Sequence, residues 1–235
     1  VRNLMVIENN GEGLNLSVQV LDGILCHNGE LELQEYRPKK KNIDDFLNDY
    51  NNCYNIPKYV KTLVPMTLEG CVVRLSDIIA YLGRDIEDAE KLGLFNKKDI
   101  PKEISDILGT TNREIINAII TNVVQNSLDK DYICLDDKIF NAIVNLKKFN
   151  YENIYNKIYT NEELNEIKQK FEFLFDNLLI SLKEKDLNSK IYSKFYITMN
   201  NNYKNNTSNE RVVMDYIAGM TDEYFLNEYK HYQSK

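Results

Sequence analysis

Asp77, Tyr81, Asp85 and Asp88 recur at spacings of four, four and three residues, which sets them along one face of a helix. The other faces of that helix carry Val72, Val73, Leu75, Ile78, Ile79, Leu82 and Ile86, so it is expected to be largely buried. A carboxylate inside a helical bundle is costly to desolvate unless it meets a cation, a metal ion or hydrogen-bond donors. The acidic stripe therefore needs partners. Spacing alone leaves three answers open: a ligand or metal site, ion pairs with Arg74 or Arg84, or a stripe that faces water.

The helix that must position these residues begins at Pro65-Met66-Thr67, with Thr67 as N-cap and Glu69 in the first turn, where the helix dipole favours a negative charge. It runs to about Leu92 and ends at Gly93, a residue able to take positive φ. Upstream, apolar spacing from Gly13 to about Glu30 fits a helix, and Tyr36 to Lys61 reads as a long polar loop with at most a short helix at Ile43 to Asp49. The run Lys39-Lys40-Lys41 reads as solvated surface. Downstream, Ile100-Pro101 opens a short helix ending near Gly109. Thr111 caps another, whose Ile115, Ile116, Ile119, Ile120, Val123 and Val124 should be core. Further helices are expected at Asp136 to Phe149, Tyr151 to Ile158, Asn161 to Glu184, Lys190 to Asn200 and Arg211 to Tyr232, with a polar loop from Asn201 to Asn209.

Composition agrees with an all-α fold. Only four prolines and nine glycines interrupt 235 residues, too few for a turn-rich β sandwich. The net charge of −7 argues against a protein devoted to neutralising nucleic-acid phosphates. Cys26, Cys53, Cys71 and Cys134 lack metal-binding spacing and read as reduced structural thiols, as in a cytoplasmic protein. No apolar run reaches the ~18 residues of a membrane span. The chain opens on Val1-Arg2 within a helical pattern, so a segment upstream is expected. No internal repeat is visible.

The order Thr67-Leu68-Glu69-Gly70, then Val72 to Tyr81, then Asp85-Ile86-Glu87-Asp88-Ala89, resembles the last ligand helix of the HD-domain deoxyguanosine triphosphate triphosphohydrolase family. Gly13 to Ser17 with Asp22 to Glu30 resembles the helix before it, and Arg211 to Asp222 resembles the family's carboxyl-terminal signature. The resemblance covers nearly the whole chain. It implies an HD-like helical bundle that is partial, with residues 1–100 as the later part of the catalytic core and residues 101–235 as a helical region packed upon it. It further implies a dNTP substrate, dGTP favoured, cleaved to a deoxynucleoside and tripolyphosphate with the help of a divalent ion such as Mg or Mn. In this chain Asp77 would be a metal ligand, Tyr81 would lie against the deoxyribose, and Asp85 would accept from the sugar 3′-hydroxyl.

The departures matter as much. Only His27 and His231 are present, neither followed by aspartate, so the family's histidine–aspartate pair and its other active-site histidines are missing from this stretch. One carboxylate is too few to hold a catalytic divalent ion, so the ion is not expected to be retained by this chain alone, nor is activity. His27 reads from its position as a hydrogen-bonded structural residue, whereas the resemblance makes it a candidate catalytic group. His231 and the block Asp215, Tyr216, Gly219, Thr221 and Asp222 read as packing residues, with Gly219 allowing close backbone approach inside a helix. The alternative is a non-catalytic nucleotide-binding or oligomerisation subunit. A homo-oligomer is expected by resemblance, and single-stranded nucleic acid is the weakest candidate partner.

Overall fold

The computed structural model describes residues 1–28, 33–156 and 160–234. The fold is all-α. Among the described residues the strands are the two-residue pieces Glu35–Tyr36 and Ile133–Cys134, paired antiparallel with Tyr36 opposite Ile133. Backbone contacts divide the chain into one unit of residues 17–159 and another of residues 1–16 and 160–235. That division differs from a boundary at residue 100, because Ile100, Ile104 and Leu108 share one core with Leu75, Ile79 and Leu82.

The unit of residues 17–159 is built on helices α1 (Val18–Cys26), α2 (Ile43–Asn55), α3 (Leu68–Lys91), α4 (Lys102–Leu108), α5 (Asn112–Ser127) and α6 (Asp137–Asn150). The starts of α1, α3 and α5 follow local chemistry: Ser17, Thr67 and Thr111 accept from Val20, Gly70 and Glu114 backbone N–H groups. Helix α1 is shorter than its apolar pattern, since Gly13 and Asn15 hold left-handed φ of 73° and 51° ahead of it. The part of the expected helix at Gly29 and Glu30 lies outside the described residues, as does Ile158 of the expected Tyr151 to Ile158 helix. The described part of the latter is a wide helical turn, Tyr151–Tyr155, continuing from α6.

Helix α3 packs closely on both sides. A Cβ on Gly70 would sit 2.8 Å from Pro65 Cβ, and one on Gly83 would sit 2.8 Å from Asn112 Cα. Its buried stripe is Cys71, Leu75, Ile79, Leu82 and Ile86, while Val72 and Val73 are exposed, contrary to expectation. A single helix can cover one stripe in this small core, and the same limit leaves Ile120 and Val124 of α5 half exposed while Ile115 and Ile119 are fully buried.

Two expectations for the segment before α3 fail. The loop contains a full helix, α2, because Asn42 and Asp45 form a reciprocal capping box and Phe46 is buried. Lys41 is not solvated: its ammonium bonds Asp22 at 2.7 Å and Asp49 at 2.9 Å, with its side chain 3% exposed. Asp22, fully buried, also accepts from the Met66 backbone N–H at 2.6 Å, tying α1 to the residue that introduces α3.

The other unit holds α7 (Asn161–Lys183), a wide helical turn at Ile191–Tyr196, then α8 (Asn201–Asn206), α9 (Asn209–Ala218) and α10 (Asp222–Gln233). Its core joins Leu174, Leu178 and Leu182 of α7 to Val212, Val213 and Phe225. The expected loop at Asn201 to Asn209 contains α8, capped by Asn200 and anchored by buried Tyr203. The single helix expected from Arg211 to Tyr232 is two, parted at Gly219 and restarted by Thr221, which accepts from Tyr224 N–H. Gly219 thus ends a helix, and a Cβ there would meet only carbonyl oxygens at 3.6 Å or more. Close approach does not explain it.

Candidate functional site

One face of α3 borders a cavity of about 300 Å³, and Asp77, Tyr81 and Asp85 line it at successive turns. The opposite wall comes from Lys147 and Asn150 of α6 and from Tyr155 in the turn that follows, with Asn28 at the end of α1 contributing to the rim. The geometry follows from α3 and α6 packing on one core, which Ile139, Ile143 and Leu146 of α6 share with Leu82 and Ile86. Asn150 is the next position on that buried register.

The carboxylates differ sharply in their company. Asp77 is half-buried and has no hydrogen bond or ion pair to a described residue. Asp85 accepts a short hydrogen bond from the Tyr155 hydroxyl. Burial raises the Asp85 carboxyl above the usual range and the nearby Asp88 charge adds to this, against the downward pull of the Tyr155 bond. Tyr155 is shifted up in turn by burial and by its carboxylate partner, so its phenol keeps its proton and serves as a donor. Asp88, placed on the same face by spacing, is turned outward to Lys91 at 3.0 Å and Arg84 at 3.2 Å and does not line the cavity. Those contacts, the Lys91 bond first, hold its carboxyl low.

Arginines do not seal the stripe. Arg84 is taken by Asp88, and Arg74 lies on the buried side, where its Nη1 donates to Leu63 O at 2.5 Å. Tyr81 borders the cavity and is 60% exposed. His27 is exposed, lies outside the lining, and has Nδ1 2.6 Å from Ile24 O. With the proton on Nδ1 this bond fixes the ring at the end of α1.

Sequence reasoning found the α3 wall and missed the α6 wall. A signal existed, since Asn150 breaks the apolar register of Ile139, Ile143 and Leu146. Nothing in the order of residues pairs Tyr155 with Asp85, seventy positions earlier.

Chemically, the cavity offers two carboxylates, two side-chain amides, two phenols and one ammonium. That set suits a ligand rich in hydroxyl or amino donors. It does not suit a resident divalent ion by itself, because no group of three or more His, Cys, Asp or Glu among the described residues could hold one.

The signature block in the other unit has a structural use. Asp215, 4% exposed, accepts from Arg2 Nε and Nη2 at 2.7 Å each, from Arg211 Nε at 3.1 Å and from Tyr203 OH at 2.8 Å, so it binds α9 to the opening residues. Tyr216 and Tyr224 hydroxyls meet at 2.9 Å across the α9–α10 break. Among the described residues no helix is long and apolar enough to cross a membrane.

Residues 133–231 match the model of a phosphohydrolase-associated domain. The chain is 34% identical to a deoxyguanosinetriphosphate triphosphohydrolase-like protein of Clostridium perfringens, over 97% of this chain and 57% of the relative. It is 32% identical to the protein so named from Caldanaerobacter subterraneus, over 98% of this chain and 55% of the relative. A Clostridium tetani protein of the same name is 30% identical, over 96% and 56%. The chain therefore spans a little more than half the length of these relatives.

Proposed function

Because the chain belongs to the HD-domain dNTP triphosphohydrolase family, we propose that it is the nucleotide-binding later part of an enzyme that cleaves a dNTP, dGTP by preference, to deoxynucleoside and tripolyphosphate. The observation carrying this reading is the cavity on which Asp77, Tyr81 and Asp85 converge from one helix. Helical turns lie about 5.4 Å apart, so one edge can meet successive parts of an elongated ligand. Tyr81 lies along the deoxyribose and Asp85 accepts from its 3′-hydroxyl.

Asp77 is the carboxylate this chain contributes toward a divalent ion. The described residues do not complete such a site, so no step is assigned to the ion, and the chain alone is proposed to be inactive. His27, outside the cavity lining, is the weakest of the site residues; a catalytic part for it would require the α1 end to move. A homo-oligomer in the cytoplasm belongs to the same proposal. The single carboxylate favours a second reading, in which the chain keeps nucleotide binding but acts as a non-catalytic or assembly subunit.

Tripolyphosphate release from dGTP with Mn decides between activity and inactivity of this chain, and equilibrium binding of dGTP decides whether the cavity takes a nucleotide. The expected result is binding without turnover. Turnover at the rate of a full-length relative overturns the proposed inactivity, and absence of dGTP binding overturns the nucleotide reading. Asp85→Ala should weaken dGTP binding about tenfold or more, the loss of a charged hydrogen bond.

A further inference from the structure

Asn150 is 1% exposed, yet its amide is only half used. Its Nδ2 donates to Leu82 O at 3.1 Å, while Oδ1 has no hydrogen-bond partner. Buried side-chain atoms in that state are few among the described residues: Arg74 Nε, Asn112 Oδ1 and Asn150 Oδ1. Of these three residues, Asn150 alone lines the Asp77–Asp85 cavity. An unpaired buried carbonyl is costly, and a leucine of similar size would continue the register of Ile139, Ile143 and Leu146 without that cost. The bond to Leu82 O does not repay the choice, because a helix carbonyl can already be satisfied within its own helix.

We infer that Asn150 is a ligand-contacting residue of this cavity, its Oδ1 accepting a hydrogen bond from a hydroxyl or amino group of the bound nucleotide. The inference rests on the nucleotide reading above and adds a residue from α6 to it. The chemistry favours an amide here. The cavity already holds Asp77 and Asp85, and a third carboxylate would repel a polyanionic ligand, whereas a neutral carbonyl accepts from a neutral donor without adding charge. The Nδ2 bond to Leu82 O fixes which end of the amide is presented, so the site supplies an acceptor and rejects a ligand atom that is itself an acceptor. The single proton of the sugar 3′-hydroxyl goes to Asp85 in the reading above, which leaves the exocyclic amino group of the guanine base as the donor for Asn150.

Binding of dGTP, deoxyinosine triphosphate and dideoxyguanosine triphosphate to the wild-type chain and to Asn150→Leu tests the inference, with folding of each checked by circular dichroism. The leucine variant should bind dGTP about tenfold or more weakly. It should also lose the wild-type preference for dGTP over the inosine compound, which lacks the amino group, while keeping the preference over the dideoxy compound, whose missing hydroxyl is the one that meets Asp85. Asn150→Asp provides a second measure. Its buried carboxyl, when protonated, reproduces both the acceptor and the donor of the amide, so its binding relative to wild type should recover at pH 5 and fall at pH 8. Equal dGTP binding by wild type and Asn150→Leu, with both analogue preferences intact, overturns the inference while leaving the nucleotide reading standing. A wild-type chain that binds none of the three removes the nucleotide reading itself. If the leucine variant does not fold, an aspartate variant whose relative binding is the same at both pH values overturns the inference.

Discussion

Asp22 and Asp77 sit on neighbouring helices of one unit and have opposite surroundings. Asp22 at the α1–α3 junction is fully buried, bonded to the Lys41 ammonium and to the Met66 backbone, and Asp49 is a second carboxylate partner of the same ammonium. Asp77 faces a cavity with no described partner. A saturated carboxylate has nothing left to offer a ligand; an unsaturated one is a weakness of the fold that a ligand can repair. The contrast separates what holds α3 in place from what α3 is held in place to do.

Removing Asp22 is expected to have the largest effect. Asp22→Ala leaves the Lys41 ammonium with Asp49 alone and the Met66 N–H without its acceptor, and should cost about 3 kcal/mol in urea unfolding, the low end of the penalty for breaking a buried pair. Asp77→Asn should stay within about 0.5 kcal/mol of wild type, because no native bond is lost. If Asp77→Asn destabilised the chain as much as Asp22→Ala, the distinction between the two aspartates would collapse.

A smaller effect is expected at Asp85, and it depends on pH. Burial raises its pKa in the folded chain. Between the unfolded value of about 3.9 and the higher folded value, the native state therefore binds more proton than the unfolded state. Stability then falls as pH rises through that window. Asp85→Asn, which can still accept from Tyr155, removes this slope. The variant should gain on wild type from acid toward neutral pH, with the difference vanishing below the unfolded pKa, as read from urea midpoints at a series of pH values. A difference of opposite sign would mean that the carboxylate is stabilised where it lies.

The smallest effect is expected at Asp88, whose partners Arg84 and Lys91 are both exposed. Asp88→Ala should leave the unfolding midpoint where it is, since exposed pairs on a helix surface are screened by water and salt. A clear loss would place Asp88 with the structural carboxylates and contradict its outward orientation.

The long helices were legible in the sequence because each carries its own instructions. Thr67 and Thr111 announce starts that the structure confirms, and Gly93 adopts the positive φ expected of it. Misreadings cluster where polar residues do structural work. The segment around Lys41 looked solvated because nothing local reveals a buried acceptor nineteen residues earlier. Helix α8 looked like a loop because asparagine-rich composition hides both the Asn200 cap and the buried Tyr203 ring. The α3 wall of the site could be read from a period of four, whereas Lys147, Asn150 and Tyr155 could not be assigned to it.

By itself, the sequence determined the helical class, the family resemblance, and the shared edge of Asp77, Tyr81 and Asp85, because caps, periodicity and motif order are properties of short stretches of chain. Only the tertiary structure decided that Asp88 turns away, that Lys41 is buried against Asp22, and that α6 closes a cavity over Asp85 with Asn150 and Tyr155. Burial and pairing depend on which distant segments meet, and the free energy of a charge is fixed by those neighbours rather than by its position in the chain.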